Sequence, residues 1–434
     1  MLSRLQIGID FSTKWVDVCL LTPNGEPLVA HQRFGNSLPG FQGVKQLLLD
    51  TLAAQGYTGA DISGEATGMY WLPFFLQLVA DPELAANGAQ AYLLNPRWVA
   101  WYKRCFSEDD KTDAHDAYHI ADRTRTHRPS VPWSVDPAAL ALRSYTRHRF
   151  HLVQSLAREK NFFCAYLFLK ANAYGRLKPF SNVFGATSRL VLGQYVTLDA
   201  LADLPVAELA AELDQMSHHS LPDPLHNATQ LQRVARESFP LPEDLVEPVQ
   251  DILDSTLDTI TFLESQIHKV KQRIDRQLVH HPAIRQLQTI PGIGPVFAAG
   301  IGAEISPVQR FLTGTKWDRR RQRQRPKNLR DAEDAVAKIA GLWWPRAQSG
   351  DFEAQDRHMS KAGNAYLRYY LIQAAEHLRW REPEYRCYYQ GKYTETTKHK
   401  HKRALVLTAR KSVGLFVGLL HRNEPYRSRE ERRT

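Results

Sequence analysis

The chain has 434 residues, 43% of them hydrophobic and 24% charged, with a formal net charge of +10. That length admits two or three domains with cores of their own, and the composition excludes disordered, collagen-like and disulfide-scaffold classes. The positive balance suits a polyanionic partner, because Lys and Arg that neutralise phosphates release counterions; a basic protein with no nucleic-acid role has the same balance.

The alternating, β-branched Gln6-Ile7-Gly8-Ile9-Asp10 predicts a strand, followed by a second over Trp15 to Leu21. Asn24-Gly25 reads as a type I′ hairpin turn, leading into a third strand over Leu28 to Phe34. Pro39 to Leu52 has helical periodicity, with Phe41, Val44, Leu47 and Leu48 on one side. A short strand then runs into Glu65-Ala66-Thr67-Gly68, followed by a helix, a strand over Ala91 to Leu94, and another helix. Three antiparallel strands and then alternating helix and strand is the order of a ribonuclease H-like α/β domain. It is expected over residues 1–130, ending near Arg128-Pro129.

Residues 131–285 read as a helical linker and coiled-coil region. Ala139 to Lys170 is a long amphipathic stretch, and residues 176 to 242 are irregular with broken helices. Leu253, Leu257, Ile260, Leu263, Ile267, Val270 and Ile274 recur at near-heptad spacing within Leu245 to Leu278. That pattern fits a coiled-coil-like helix or one long helix packed within its own chain. Residues 286–434 are expected to form a mainly α domain rich in Arg and Lys. Ile290-Pro291-Gly292-Ile293-Gly294-Pro295 suits a helix-hairpin-helix turn whose Gly292 and Gly294 let backbone N–H groups approach a phosphate; an ordinary Pro-Gly turn uses the same residues. The run Arg319-Arg320-Arg321-Gln322-Arg323-Gln324-Arg325 is either a grip on RNA or DNA or a solvated loop. Cys19, Cys105, Cys164 and Cys387 form no CxxC pair, so neither a zinc site nor a disulfide framework is expected, and a reducing cytoplasm is the simple setting. No signal peptide and no membrane span are read from the sequence.

Four carboxylates carry the chemistry. Asp10 closes the first strand and Glu65 a later strand of the same sheet, while Asp113 and Asp116 lie three apart, on one face of a helix. Carboxylates gathered in this way repel one another unless a cation joins them, and Mg²⁺ is hard and oxygen-loving. Two such ions about 4 Å apart would stabilise both the attacking and the leaving oxygen of a phosphoryl transfer. Singly, each has a plainer reading: a turn or cap for Asp10, a strand end for Glu65, a solvated helix face for the pair. The combination, in this topological order, is what informs.

Ile7-Gly8-Ile9-Asp10, Glu65-Ala66-Thr67-Gly68-Met69-Tyr70-Trp71, Leu94-Asn95-Pro96-Arg97 and Lys111-Thr112-Asp113-Ala114-His115-Asp116-Ala117 together resemble the motifs of the DEDD-type insertion-sequence transposases. The resemblance implies a RuvC-like N-terminal domain whose metal-binding tetrad is Asp10, Glu65, Asp113 and Asp116. Lys111 stands beside it, touching phosphate or pairing with Asp109 or Asp110. The resemblance continues in Ile290-Pro291-Gly292-Ile293-Gly294, in the segment Gly341-Leu342-Trp343-Trp344-Pro345-Arg346-Ala347-Gln348-Ser349 and in Ser360-Lys361-Ala362-Gly363-Asn364. These imply a second transposase domain with a serine that attacks a DNA phosphate and forms a covalent phosphoserine. By position it is Ser349, with Ser360 in reserve, because Ser349-Gly350 is followed here by Asp351, Glu353 and Asp356 where the family more usually has Ser, Gly and basic residues. Arg346, Lys361 and Arg368 are candidate phosphate ligands or surface charge. Trp343, Trp344, Tyr366, Tyr369 and Tyr370 stack on bases or belong to the core. The resemblance further implies a guiding bridge RNA transcribed from the element, and a homo-dimer or tetramer that completes the site. Three other readings stay open: a RuvC-like nuclease that cuts with activated water, an actin-like sugar kinase or ATPase using Ser12-Thr13-Lys14, and a non-catalytic nucleic-acid binder.

Overall fold

The computed structural model describes residues 4–106, 112–127, 132–134, 136–195, 197, 199–318, 320–345, 348–349, 352–353, 357–428 and 431. The chain divides into two units, one made of Met1–Ala141, Pro282–Ile293 and Ile301–Thr434, the other of Leu142–His281 and Gly294–Gly300.

The first unit begins with strands β1 (Leu5–Phe11), β2 (Trp15–Leu21) and β3 (Pro27–Gly35). Helix α1 (Leu38–Gln55), β4 (Ala60–Glu65), α2 (Leu72–Ala80), α3 (Pro82–Ala86), β5 (Ala89–Leu94), α4 (Pro96–Lys103) and α5 (Asp113–Thr126) follow. The sheet order is β3-β2-β1-β4-β5; β1 and β3 pair with β2 antiparallel, and β4 runs parallel to both β1 and β5. Central β1 is covered on both faces. Leu5, Ile7 and Ile9 join Phe41, Val44 and Leu48 of α1 and Phe74, Phe75 and Leu78 of α2 in one core. On the other face α5 lays Ala117 and Ala121 against Cys19 and Leu21.

Two local expectations change. The β2–β3 connection is not a two-residue type I′ turn. Gly25 N–H donates to the Thr22 carbonyl, Thr22 N–H donates to Glu26, and only Gly25 takes a positive φ, +97°. Pro23 explains the difference: in a hairpin centred on Asn24-Gly25 its backbone nitrogen would have to donate to Glu26, and proline has no N–H, whereas its φ near −65° suits the second position of the type I turn formed here. The α/β layer also continues beyond residue 130, because Trp133 packs edge-on against Trp71 and Phe75 and donates its backbone N–H to Ala91.

The second unit is helical: most of α6 (Pro137–Lys170), then α7 (Tyr174–Leu177), α8 (Ala186–Gln194), α9 (Asp199–Asp203), α10 (Val206–Met216), α11 (Pro224–Glu237) and α12 (Glu243–Leu278). Ion pairing of Lys160 with Glu264, and of Lys170 with Gln250 by hydrogen bond, shows that α6 and α12 run antiparallel. Leu253, Leu257, Ile260, Leu263, Val270 and Ile274 are buried within the chain, so the near-heptad stripe has its partner in the same molecule. The stretch read as irregular is a run of short helices punctuated by Pro205, Pro222, Pro224, Pro240 and Pro242, whose Leu209, Leu213, Leu231 and Val234 share a core with Phe163 and Leu167 of α6.

The C-terminal part of the first unit contains α13 (Pro282–Gln286) and, shared with the second unit, α14 (Pro295–Ile305). Then come the hairpin β6 (Thr315–Asp318) and β7 (Arg323–Pro326), α15 (Leu329–Ile339), the short hairpin β8 (Gln348–Ser349) and β9 (Phe352–Glu353), α16 (Ala365–Arg381), α17 (Pro383–Thr394) and α18 (Lys400–Arg422). In length and composition α18 matches a membrane span, contrary to the reading of the sequence. Its Ala409, Val413, Phe416, Val417 and Leu420 are nonetheless buried, and it packs on α15, α16 and α17, as the central helix of a helical core does.

Candidate active site

Sheet register places the first two carboxylates. Ile9 is level with Gly64 across the parallel β1–β4 pair, so Asp10 and Glu65 stand side by side at neighbouring C-terminal strand ends. Open α/β sheets bind ligands outside such ends. The third is placed by helix packing. A Cβ at Gly8 would lie 2.0 Å from the Ala117 carbonyl oxygen and 2.4 Å from the Ala121 nitrogen, so only glycine lets α5 rest on β1. That contact brings Asp116, the residue before Ala117, over Asp10. Thr112 caps α5 by accepting from His115 N–H, and Asp113 and Asp116 occupy the first helical turn, whose positive end favours carboxylates.

The electrostatics report the convergence. Asp10 is pushed up to about 6, first by burial, then by Asp116 and Glu65, with Lys103 acting in the opposite direction. Lys103, in the last turn of α4, holds Asp116 at 2.6 Å. Glu65 accepts a hydrogen bond from Thr67 Oγ1 at 2.7 Å. Asp113 is directed elsewhere: its carboxylate meets Arg33 Nη2 at 2.6 Å. Arg33 Nε in turn binds Asp17 at 2.9 Å, and His31 Nε2 lies 2.6 Å from the same oxygen. Asp10, Asp17 and Arg33 are direct cross-strand partners, so they form one polar row on the α5 side of the sheet. The structure therefore sets Asp116 and Glu65 within electrostatic reach of Asp10 and ties Asp113 to an arginine. Among the described residues, no three His, Cys, Asp or Glu side chains stand close enough to hold one ion. The donor chemistry still fits a hard divalent cation: three mutually repelling carboxylates, opposed by the single ammonium of Lys103.

Lys111 and Arg346 lie outside the described residues. Gly292 takes φ +84° in the turn Ile290-Pro291-Gly292-Ile293, where Ile293 N–H donates to Ile290; its α-carbon faces His377 and Arg381 of α16. A type II turn has Pro and Gly at these two positions. Gly294 is the N-terminal residue of α14's first turn, its carbonyl accepting from Ala298, and open space surrounds its α-carbon. Ser349 pairs with Phe352 in the β8–β9 hairpin; its side chain is outside the described part. Ser360 N–H donates to Trp343, and its hydroxyl accepts from Ala362 N–H.

Arg368 departs from its expected role. Its Nη1 donates to the carbonyls of Ala340 and Lys361, clasping the chain after α15 to the loop before α16. Gly363 completes this clasp, since a Cβ there would lie 2.1 Å from the Ile339 carbonyl. Much of the Ser-Lys-Ala-Gly-Asn segment is thus architectural, and Lys361 is its exposed cation. Among the aromatics, Tyr370 is fully buried and Trp343 lies beneath Lys338. The loop offered to a kinase reading is closed on itself: Ser12 Oγ binds both backbone groups of Trp15, and Asn36 Nδ2 donates to the Ser12 carbonyl.

Sequence reasoning missed Lys103, Arg33, Asp17 and Thr67. Only Asp17 left a signal, an acid between Val16 and Val18 in a strand otherwise apolar.

Residues 7–169 match a family model described as Transposase, of the DEDD type of IS110 elements. Residues 324–390 match one described as Transposase IS116/IS110/IS902 family. The chain is similar to the Insertion element IS116 uncharacterized 44.8 kDa protein of Streptomyces clavuligerus, 25% identical over 341 residues, which is 78% of each chain.

Proposed function

The chain belongs to the transposase family of IS110 and IS116 insertion elements, enzymes that cut and rejoin DNA by phosphoryl transfer, and we propose that Asp10, Glu65, Asp116 and Asp113 are its acidic centre, on a RuvC-like, ribonuclease H-like fold. What supports this is Asp10 itself: a carboxyl at the C-terminal end of the central strand, raised to about 6 by burial and by the carboxylates of Asp116 and Glu65. Mg²⁺ held by these oxygens would polarise the scissile phosphate and lower the charge that opposes attack on it. Lys103 orients Asp116 through their ion pair. Arg33 holds Asp113 one helical turn away from Asp116; Asp113 would join the set if released from that arginine.

Ser349 is assigned the nucleophile for strand exchange, supported by its position in the family motif and by the β8–β9 hairpin that carries it to a turn. Its Oγ forms a bond to a DNA phosphorus, a phosphorus–oxygen bond to deoxyribose breaks, and the departing sugar hydroxyl receives a proton in place of the one the serine gives up. Lys111, Arg346, Lys361 and the backbone at Gly292 and Gly294 are assigned to phosphate, a bridge RNA to the choice of site, and a homo-dimer or tetramer to completing the centre. Water-activated cleavage without serine is the second reading, favoured by the acidic residues Asp10, Glu65 and Asp116 gathering on the N-terminal domain alone.

Asp10→Asn tests the centre. In Mg²⁺ the variant is expected to bind element-end DNA as wild type does and to cut it at least about a hundredfold more slowly; unchanged cutting refutes the assignment. Ser349→Ala separates the two readings: loss of a covalent protein–DNA adduct supports serine chemistry, and undiminished strand exchange supports water.

A further inference from the structure

The arginine-rich run is neither a loop without structure nor part of the acidic centre. It folds as the β6–β7 hairpin, with Thr315, Lys316, Trp317 and Asp318 level with Pro326, Arg325, Gln324 and Arg323. Between residues 315 and 330 stand eight lysines and arginines and one acid, Asp318. Asp318 is engaged within the turn, accepting the backbone N–H groups of Arg320 and Arg321.

The two faces of this ribbon differ. Side chains alternate along a strand, so Lys316 and Arg325 share one face. Both bind Asp331 in the first turn of α15, Lys316 at 2.7 Å and Arg325 Nη1 at 2.6 Å, and these cations hold the Asp331 carboxyl well below the usual range. Asn328 and Asp331 close a capping box on the same turn, which fixes the anchor. The opposite face carries Trp317, 48% exposed, beside Gln324. Arg320, Arg321 and Arg323 gather at the exposed tip, outside any ion pair among the described residues.

We propose that this hairpin is a DNA-docking arm that enters the major groove of duplex DNA, its tip arginines on phosphates and the Trp317–Gln324 face toward base edges. Four residues per strand at about 3.4 Å each give a ribbon about 14 Å long. The major groove of B-DNA, about 12 Å wide and 8.5 Å deep, admits a two-stranded ribbon, whereas that of A-form RNA is deep and narrow. A glutamine amide can bridge the paired acceptor and donor of adenine, and a tryptophan offers apolar contact to a thymine methyl. The inference rests on the DNA-processing reading of the chain and adds where, apart from the acidic centre, the duplex is gripped.

The test uses the full-length protein and a mixed-sequence DNA duplex, with an RNA duplex of the same sequence as comparison, over a range of KCl concentrations. In Arg320→Gln/Arg321→Gln/Arg323→Gln, DNA affinity at low salt is expected to fall at least about tenfold, and the slope of log K against log salt to shrink by about two to three. RNA-duplex binding is expected to change less. Arg320→Lys/Arg321→Lys/Arg323→Lys is expected to restore the slope, and both variants to keep the wild-type melting temperature because the anchoring residues are untouched. Unchanged DNA affinity, or a loss as large on RNA as on DNA, overturns the proposal. Strand cleavage measured alongside separates the two levels. A wild type that cuts DNA with an arm variant that binds normally removes only the arm, while a wild type that neither binds nor cuts DNA removes both.

Discussion

Asp10 and Lys103 set the pH behaviour of the centre. Asp10 is raised from 3.8 to about 6, so cation binding and strand cleavage are expected to fall as pH drops through about 6 and its carboxyl takes up a proton. Lys103 pulls that value down. Lys103→Gln is therefore expected to move the acid limb of the cleavage profile to higher pH, a shift read directly from rates across a buffer series. The same raised value has a stability sign. A carboxyl that titrates higher folded than unfolded costs stability as pH rises from about 4 through about 6, because the native state then surrenders a proton it holds more tightly. Asp10→Asn removes that cost. It is expected to raise stability by about 1 kcal/mol at pH 7, a figure discounted for partial exposure, and to leave it unchanged near pH 4, as measured by urea unfolding. Adding Mg²⁺ is expected to raise the melting temperature of wild type and not that of Asp10→Asn, a readout independent of catalysis.

Between elements, the β1–α5 contact decides the geometry. Gly8→Ala drives a methyl group into the Ala117 carbonyl and is expected to destabilise by more than about 3 kcal/mol, or to lift α5 and slow cleavage if the fold yields instead. Denaturant unfolding read together with cleavage distinguishes these. Much at this scale was legible in the sequence. β-Branched and apolar runs bounded by turn residues marked β1, β2 and β3, and the stripe of Phe41, Val44 and Leu48 marked α1, each to within a few residues; β1 and β2 proved buried on both faces and β3 largely exposed. The β2–β3 turn was misread because Asn24-Gly25 outweighed Pro23, although the missing N–H of proline is the stronger constraint. In the site, strand ends and helix spacing made all four acidic positions legible as candidates. The pairing of Asp113 was not, because Arg33 comes from β3, some 80 residues away, and a long-range ion pair leaves no periodic trace. The clasp that Arg368 makes was hidden for a related reason: its two carbonyl partners come together only in three dimensions.

Across the whole molecule, division into two units predicts two unfolding transitions in calorimetry. Lys170→Met addresses one of them. Lys170 is 4% exposed and donates to the Leu192 and Tyr195 carbonyls and to Gln250 Oε1. Burial pulls it down to about 8, so its ammonium costs stability at neutral pH, and that cost fades as pH rises from about 8 toward 10.5. Replacing it takes the lysine donor from Gln250 Oε1 and the Tyr195 carbonyl, while the Leu192 carbonyl keeps Gln250 Nε2, and the transition of the helical unit is expected to fall by about 2 kcal/mol, while the other stays where it is. The helical unit was the least readable part of the chain because its short helices, set off by prolines, bury too few residues each to show a period. The glycine of β1 has a consequence at this largest scale. Where strand and helix meet this closely at Gly8, the gap between Asp10 and Asp116 is set largely by the thickness of two main chains, a ruler that side chains elsewhere do little to alter. A lineage that keeps this glycine can rewrite most other positions and still hold the same calibrated separation.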